Sequence, residues 1–571
     1  IASDLVAWLD DRSGVMQLYA GNPITGERRQ LTTGAERIQS LIGTAGSRRV
    51  IVGTDAGGNE RQQLAVIDLD SGEQQLLTEA PDQIHEPFCL GPDGEQVVYR
   101  TNNGASGEFS LHVMDIASRE TRCLWNDAGQ IRAHAMNDGG EVLTSLLTSN
   151  LDADLYLISP NGVRTALLQT DDESWILDAG FALDGEHVFV LTNAGSEFVR
   201  LVRIDRQSGK LDVLVDTGWD IETMALSPDS SRLAWSVNRE GYSDIFVAPL
   251  DAHESATRPG LPEGVADRLS WSPDNDSIVV GWTPVDAPAR LWTVESGGEA
   301  AQTFADDPID EKFTGKPPEL IRFDTFDGRQ IPAFWFESDR ADAPVVIDVH
   351  GGPESQRRAA FHPVLQYLVA AGFHVLTTNV RGSTGYGKAY QHLDDVELRM
   401  NSVRDLEYAC EWAADRLRSA EPKIGIMGQS YGGFMTLAAI TEFPDRWFAA
   451  ADVVGIANFV TFLERTGPWR RRHRSAEYGS LERDRELLER ISPIRKVEAI
   501  EAPMLVIHGR NDPRVPLYEA EQLVESLEER NHPVELLVFD NEGHGLSKRP
   551  NRIEGYAKVA EFYWRIAGGS A

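Results

Sequence analysis

Residues 423–436 read KIGIMGQSYGGFMT. Four glycines (Gly425, Gly428, Gly432 and Gly433) crowd one serine, Ser430, between an apolar run and a helical-looking one. Glycine costs backbone entropy in any ordered element, so this density marks a path that side chains would block. Gly428-Gln-Ser-Tyr-Gly432 fits G-x-S-x-G, after a strand and before a helical run at 433–443. That is the context of a nucleophile elbow, which leaves a serine bare on a tight turn. The helix N-terminus then aims its amides at developing negative charge.

Around this stretch, apolar strands alternate with helical segments. Strands are expected at 345–349 (VVIDV), 373–380, 423–427, 504–508 (MLVIH) and 534–539 (VELLVF), and helices at 363–371 and 401–418. Such alternation predicts a mostly parallel α/β sheet covered on both faces. An α/β-hydrolase needs Ser, then an acid, then His in chain order. Asp512 follows the 504–508 strand and His544 follows the 534–539 strand, so both fall at strand C-terminal edges. An open sheet places its active site there. In the expected chemistry His544 takes the Ser430 proton and Asp512 fixes the imidazole tautomer. His508 is read as support for the Asp512 loop, and Asp540 lies too near His544 in sequence to be its partner. The H-G-G-P segment at 350–353 predicts an oxyanion hole. One backbone N–H would come from Gly352, with Gly351 its neighbour, and the other from Tyr431.

Residues 1–300 have another style. A β-rich run recurs at Val6, Val50, Val97, Val142, Val188, Leu233 and Ile278, in steps of 44 to 47 residues. Each run is followed by a second strand, such as QLYAG, QLAVID or DLYLIS, and a third. Several follow a turn such as GPDGE or SPDND, where turn residues set tight hairpins. A period in the forties with several short strands is the signature of a β-propeller, and seven copies predict seven blades. Between about 303 and 320 the pattern stops in a polar, proline-bearing stretch, as an interdomain linker would. The expected fold is therefore two domains: a seven-bladed β-propeller at 1–310, then an α/β-hydrolase at 311–571.

Composition narrows the function. A net charge of −35 argues against nucleic acid, which needs a basic footprint. Only Lys210 precedes Lys312; GC-rich coding and salt adaptation both fit that scarcity. Three cysteines, Cys89, Cys123 and Cys410, with no C-x-x-C, suit a reducing, cytoplasmic setting. No H-E-x-x-H occurs, so neither a catalytic metal nor a cofactor is expected. No secretory signal and no run long enough for a membrane span are visible. The chain opens at Ile1 rather than Met, which leaves room for a leader or native segment ahead of it.

With those motifs in place, the sequence resembles the prolyl oligopeptidase family of serine peptidases, and most closely its acylaminoacyl-peptidase branch. The resemblance is carried by HGGPES at 350–355, NVRGSTGYGKAY at 379–390, GQSYGGFMTLAA at 428–439, HGRNDPRVPL at 508–517 and EGHG at 542–545. It spans essentially the whole chain. His350 stands where prolyl-specific relatives carry an oxyanion tyrosine. The family usually carries an N-terminal helix that packs on the hydrolase; here Ile1 leads almost directly into a strand, so that helix is expected to be absent, displaced or disordered. The resemblance implies a propeller that admits short peptides and excludes folded proteins. It also implies that Arg514 lies near the substrate or the cavity wall. Phe459, Phe462 and Trp469 are candidates for an apolar P1 pocket, with core packing the competing role. The basic run at 469–474 reads as a solvated or salt-bridged face, or a site for peptide carboxylates. The leading expectation is release of an N-acylated amino acid or a related oligopeptidase activity. Dipeptidyl aminopeptidase and carboxylesterase are alternatives, a non-catalytic propeller scaffold is a distant one, and self-association stays open. Dipeptidyl relatives hold a free amine with paired glutamates on the propeller, and no clear Glu-Glu pair stands out in 1–300.

Overall fold

The computed structural model describes residues 4–102, 108–305, 314–340, 342–419 and 421–568. The chain divides into two compact units. The first comprises Ile1–Ala56, Glu60–Thr283 and Ala289–Glu311; the second comprises Gly57–Asn59, Pro284–Pro288 and Lys312–Ala571. The expected boundary at 310/311 and part of the expected linker lie outside the described residues.

Among the described residues the first unit holds seven antiparallel sheets in chain order. The counted runs are strands, at Val6–Asp10, Arg49–Thr54, Gln96–Asn102, Val142–Leu147, His187–Thr192, Arg232–Arg239 and Ser277–Pro284. From the second sheet onward each run is the second strand, not the first. An inner strand precedes it, such as His85–Leu90 or Gln130–Met136. These inner strands abut one another from sheet to sheet. The periodicity missed them because sequences such as HEPFCL and QIRAHAM mix polar and apolar residues on both faces.

Burial explains why the sheets come as a set. Each core cluster of this unit draws on two consecutive sheets. Ile51 and Leu64 of the second pack with Val97 and Met114 of the third, and Leu201 and Ile221 join the fifth to the sixth. A lone sheet would leave one apolar face wet. Seventh and first sheets meet as well: the Phe304 ring lies 5.1 Å from Trp8, with Arg28 stacked over it. The ring of blades closes, and this is a seven-bladed β-propeller.

The second unit is built on one eight-stranded sheet. Its strands are β1 (Glu319–Asp324), β2 (Gln330–Phe336), β3 (Val345–Val349), β4 (His374–Thr378), β5 (Ile424–Gln429), β6 (Ala449–Val453), β7 (Met504–Gly509) and β8 (Val534–Phe539). The spatial order is β1-β2-β4-β3-β5-β6-β7-β8. The β1–β2 and β2–β4 pairs are antiparallel, and every other pair is parallel. The central strands are apolar and buried along their length, as strands covered on both faces must be. Helices that bear on the site are α1 (Arg399–Leu417), α2 (Tyr431–Glu442), α3 (Phe459–Arg465) and α4 (Pro468–Tyr478). This is an α/β-hydrolase domain. No helix among the described residues is long and apolar enough to cross a membrane.

Candidate active site

Strand β5 ends at Gln429 and helix α2 begins at Tyr431, so Ser430 alone makes the turn. Its backbone has φ +60° and ψ −119°, a conformation that non-glycine residues avoid and that costs roughly 1–3 kcal/mol. The turn is held on both sides: the Ser430 N–H donates to Val453 O at 2.9 Å, and its carbonyl accepts from the Phe434 N–H at 3.1 Å. The surrounding glycines are required by close approach. A Cβ at Gly428 would stand 2.1 Å from the Gly432 carbonyl oxygen, and one at Gly432 would stand 2.1 Å from that of Val349. Any side chain there would push helix off strand.

The ends of β5, β7 and β8 bring three side chains together. His544 Nε2 lies 2.8 Å from Ser430 Oγ, and His544 Nδ1 lies 2.7 Å from Asp512 Oδ2. An ionised carboxylate only accepts, so the imidazole proton sits on Nδ1 and Nε2 is left to accept from the serine hydroxyl. The other Asp512 oxygen accepts from the Arg514 and Val515 N–H groups at 2.8 and 3.0 Å. Its side chain is fully buried, while the imidazole keeps 9% exposure. The acid is therefore locked and the base is reachable.

His508 does what the sequence suggested. It is buried, its Nε2–H donates to Val515 O at 2.9 Å, and it stays 3.8 Å from Asp512. Burial pushes its pKa down, so it remains neutral beside the acid. Asp540 points elsewhere and pairs with Arg510.

The loop after β3 runs beside the serine. A Cβ on Gly351 would stand 3.3 Å from Ser430 Cβ, so Gly351 is the glycine packed directly against Ser430. Gly352 follows, and its carbonyl accepts from the Tyr478 hydroxyl at 3.2 Å and from Arg474 at 3.4 Å. His350 braces this loop. Its Nδ1–H donates to Gly351 O at 2.7 Å and its Nε2 meets the Ser383 hydroxyl at 2.9 Å. Burial holds its pKa down to about 4, so it is a neutral strut at physiological pH.

The expected pocket residues divide. Phe459 and Phe462 are 0% and 4% exposed, packed with Phe434 and Tyr478. In this form their rings fill core rather than line an open pocket. Trp469 is half-buried, folded over Gly467. Arg514 is exposed at its side chain, and its backbone does the local work, giving an N–H to Asp512 and a carbonyl to Thr466.

Glu542, the first residue of EGHG, has no role that its sequence position alone reveals. It is fully buried and accepts from Ser547 Oγ, the Lys548 N–H and Asn551 Nδ2 at 2.7, 2.8 and 2.9 Å. It ties the His544 loop to the start of the C-terminal helix, Arg549–Ala567. A buried acid two residues before the histidine was the available signal. Among the described residues, Asp394, Asp395 and Glu477 come close enough to share a cation. The Arg399 guanidinium already bridges Asp394 and Glu477.

A strained serine on a strand–helix turn, joined to a histidine and an acid from later strand ends, has the geometry that a serine hydrolase site on an α/β sheet requires. Comparison with known proteins narrows the class. The family model described as "Prolyl oligopeptidase family" matches residues 359–570. Dipeptidyl peptidase family member 6 of Caenorhabditis elegans is 32% identical, covering 76% of this chain and 70% of its own. Dipeptidyl aminopeptidase BIII of Pseudoxanthomonas mexicana is 26% identical over 99% of this chain and 86% of its own. The solved structure of a Mycobacterium tuberculosis puromycin-hydrolyzing peptidase shares the fold, with a TM-score of 0.88 at 20% identity, covering 100% of this chain and 94% of that one. The chain belongs to the prolyl oligopeptidase family and is a serine peptidase.

Proposed function

We propose that the protein hydrolyses short peptides through an acyl-enzyme on Ser430. The observation that carries this is the unbroken row Ser430 Oγ, His544 Nε2, His544 Nδ1, Asp512 Oδ2. His544 accepts the hydroxyl proton as Ser430 Oγ adds to the scissile carbonyl carbon, and returns it to the leaving amine as the C–N bond breaks. Water, deprotonated by the same imidazole, then releases the acyl group and restores the serine. The amide of Tyr431 is in the first turn of α2, where backbone N–H groups lack intrahelical partners. It supplies one donor to the oxyanion, and the Gly351–Gly352 loop supplies the other. The domain limits follow the two units, with the propeller ending near 310.

Two substrate readings have separate support. The resemblance to the acylaminoacyl branch and the lack of an evident glutamate pair in 1–300 favour a blocked N-terminus. The similarity to a dipeptidyl aminopeptidase runs through the propeller half as well as the hydrolase half, and it is on the propeller that dipeptidyl relatives hold the free amine. We therefore favour release of a dipeptide from a free N-terminus, with N-acylated amino acid release second. Matched p-nitroanilides decide: alanyl-leucyl turnover at more than about tenfold the kcat/KM of acetyl-leucyl, worth about 1.4 kcal/mol, supports the first. The reverse preference supports the second. Activity that survives Ser430→Ala would overturn both.

A further inference from the structure

Arg399, the first residue of α1, is completely buried, and its hydrogen bonds and ion pairs go to Asp394, Tyr431 and Glu477 rather than to Ser430, His544 or Asp512. Its position is defined by three separate segments. Nη1 donates to the Tyr431 hydroxyl at 2.9 Å and pairs with Asp394 Oδ2. The Tyr431 hydroxyl in turn donates to Asp394 Oδ2 at 2.9 Å, and Ser402 Oγ lies 3.1 Å away. Nη2 donates to the Glu477 carbonyl at 2.9 Å and pairs with its carboxylate. The guanidinium carbon also lies 5.1 and 5.2 Å from the ring centres of Tyr431 and Tyr478, which stack on each other.

Two of those partners, Tyr431 and Tyr478, lead to the residues around Ser430. Tyr431 is the residue whose amide follows Ser430. Tyr478, next to Glu477, donates its hydroxyl to Gly352 O, and Arg474 reaches the same carbonyl while pairing with Glu354. One cation thus joins the start of α2 to the end of α4, and through Tyr478 its hold reaches the loop after β3. The arrangement is costly if it serves packing alone, because a buried ion network is often no more stable than apolar residues of the same volume. What it supplies is fixed geometry. A planar fork that satisfies two partners on different elements holds them at set separation, which a lysine point charge cannot do.

We propose that Arg399 is a positioning residue for the oxyanion hole, setting the distance between the Tyr431 amide and the Gly351–Gly352 loop through the Tyr431 phenol and the Glu477–Tyr478 pair. This rests on reading Ser430 as the nucleophile and those amides as its oxyanion donors. Displacement of a reacting group by about 1 Å costs on the order of 100-fold in rate, and loss of one oxyanion donor costs about 100- to 1,000-fold in kcat.

The test compares wild type with Arg399→Lys and Tyr431→Phe. The second variant removes only the phenol hydroxyl, so it keeps the proposal falsifiable if the first fails to fold. Three quantities are read: kcat and KM on the preferred p-nitroanilide, the Ki of a peptidyl trifluoromethyl ketone, and the Ki of the product peptide. The ketone adds to the serine and presents an oxyanion, whereas the product does not. The expected result is a fall in kcat of roughly 10- to 100-fold with KM nearly constant. The ketone Ki should rise in proportion while the product Ki stays. Unchanged kcat and ketone Ki in a folded variant overturn the proposal, as does parallel weakening of ketone and product. Failure of the underlying reading is separate: Ser430→Ala would then still turn over substrate, whatever the Arg399 variants do.

Discussion

The two units use their residues in opposite ways. In the propeller, similar apolar strands do the same job in every blade, and Val188, Leu233 and Ile278 fill equivalent places between neighbouring sheets. Most stability there is shared among many near-equal contacts. In the hydrolase unit, single atoms have single duties: one Oγ, one Nε2, one carboxylate with both oxygens engaged. Substitution in the first unit should therefore erode stability in small steps. Substitution at the centre of the second should abolish activity at constant stability, or clash outright.

The sharpest way to break that contrast is Ser430→Ala. Loss of a triad serine costs about 10⁶-fold in kcat, and relief of the strained turn is not obtained, since alanine meets the same positive φ. Steady-state kinetics with a matched unfolding curve should show activity gone and the transition midpoint held. A midpoint loss comparable to a core deletion would mean that the serine is structural. Next comes Gly433→Ala. A Cβ there would stand 2.4 Å from Asp452 Oδ1, on a buried side chain, and 2.5 Å from Gly455 Cα. Overpacking of this kind costs about 1–3 kcal/mol, read as a drop in urea midpoint with kcat falling alongside.

These same contrasts account for what the sequence disclosed. The propeller was legible because seven copies of one pattern reinforce a weak signal, even though a single QVVYRTN decides nothing. The inner strands were not, since their mixed patterning reflects contacts between blades that no single blade encodes. Ser430, His544 and Asp512 were legible because chain order and strand ends restrict where such groups can sit. Arg399 was not: it lies in a helical run 31 residues before the serine, and only the fold brings it to Tyr431. Strands β1 and β2 also went unread, because they pair antiparallel outside the strand–helix alternation that marked the rest. For Phe459 the sequence left pocket and core open, because an aromatic residue in that interval suits either, and its burial favours core.

Asp452 offers a smaller effect with a definite sign. It lies at the end of β6, buried against Gly433 and Gly455, and burial raises its pKa to about 7. The folded protein thus keeps a proton that the unfolded chain releases near the usual carboxylate value. Its contribution to stability is complete below about pH 4 and is lost as pH rises through 7. Asp452→Asn keeps the shape and removes the titration, so its stability should fall less than that of wild type between pH 5 and 8. Glu519, raised to about 7 by its own burial, adds a second contribution of the same sign. Some slope must therefore remain in the variant, and curves that coincide at every pH would mean that Asp452 ionises freely in the fold.

The smallest effect belongs to the propeller, at Gly209→Ala. A Cβ at Gly209 meets nothing within 4 Å, so no clash is added, but φ is +70°. That hairpin turn, between Arg200–Asp205 and Leu211–Val215, holds the backbone in a left-handed state that costs a non-glycine residue about 1–2 kcal/mol. The expected outcome is a lower urea midpoint with kcat and KM unchanged. Set beside Gly433→Ala, it separates two reasons for a glycine: conformation alone in a blade's outer turn, and space alone beneath the serine. If Gly209→Ala lowered kcat as Gly433→Ala should, the division between a redundant scaffold and an exacting centre would fail, because a turn far along the repeat would then be setting the geometry of the reaction.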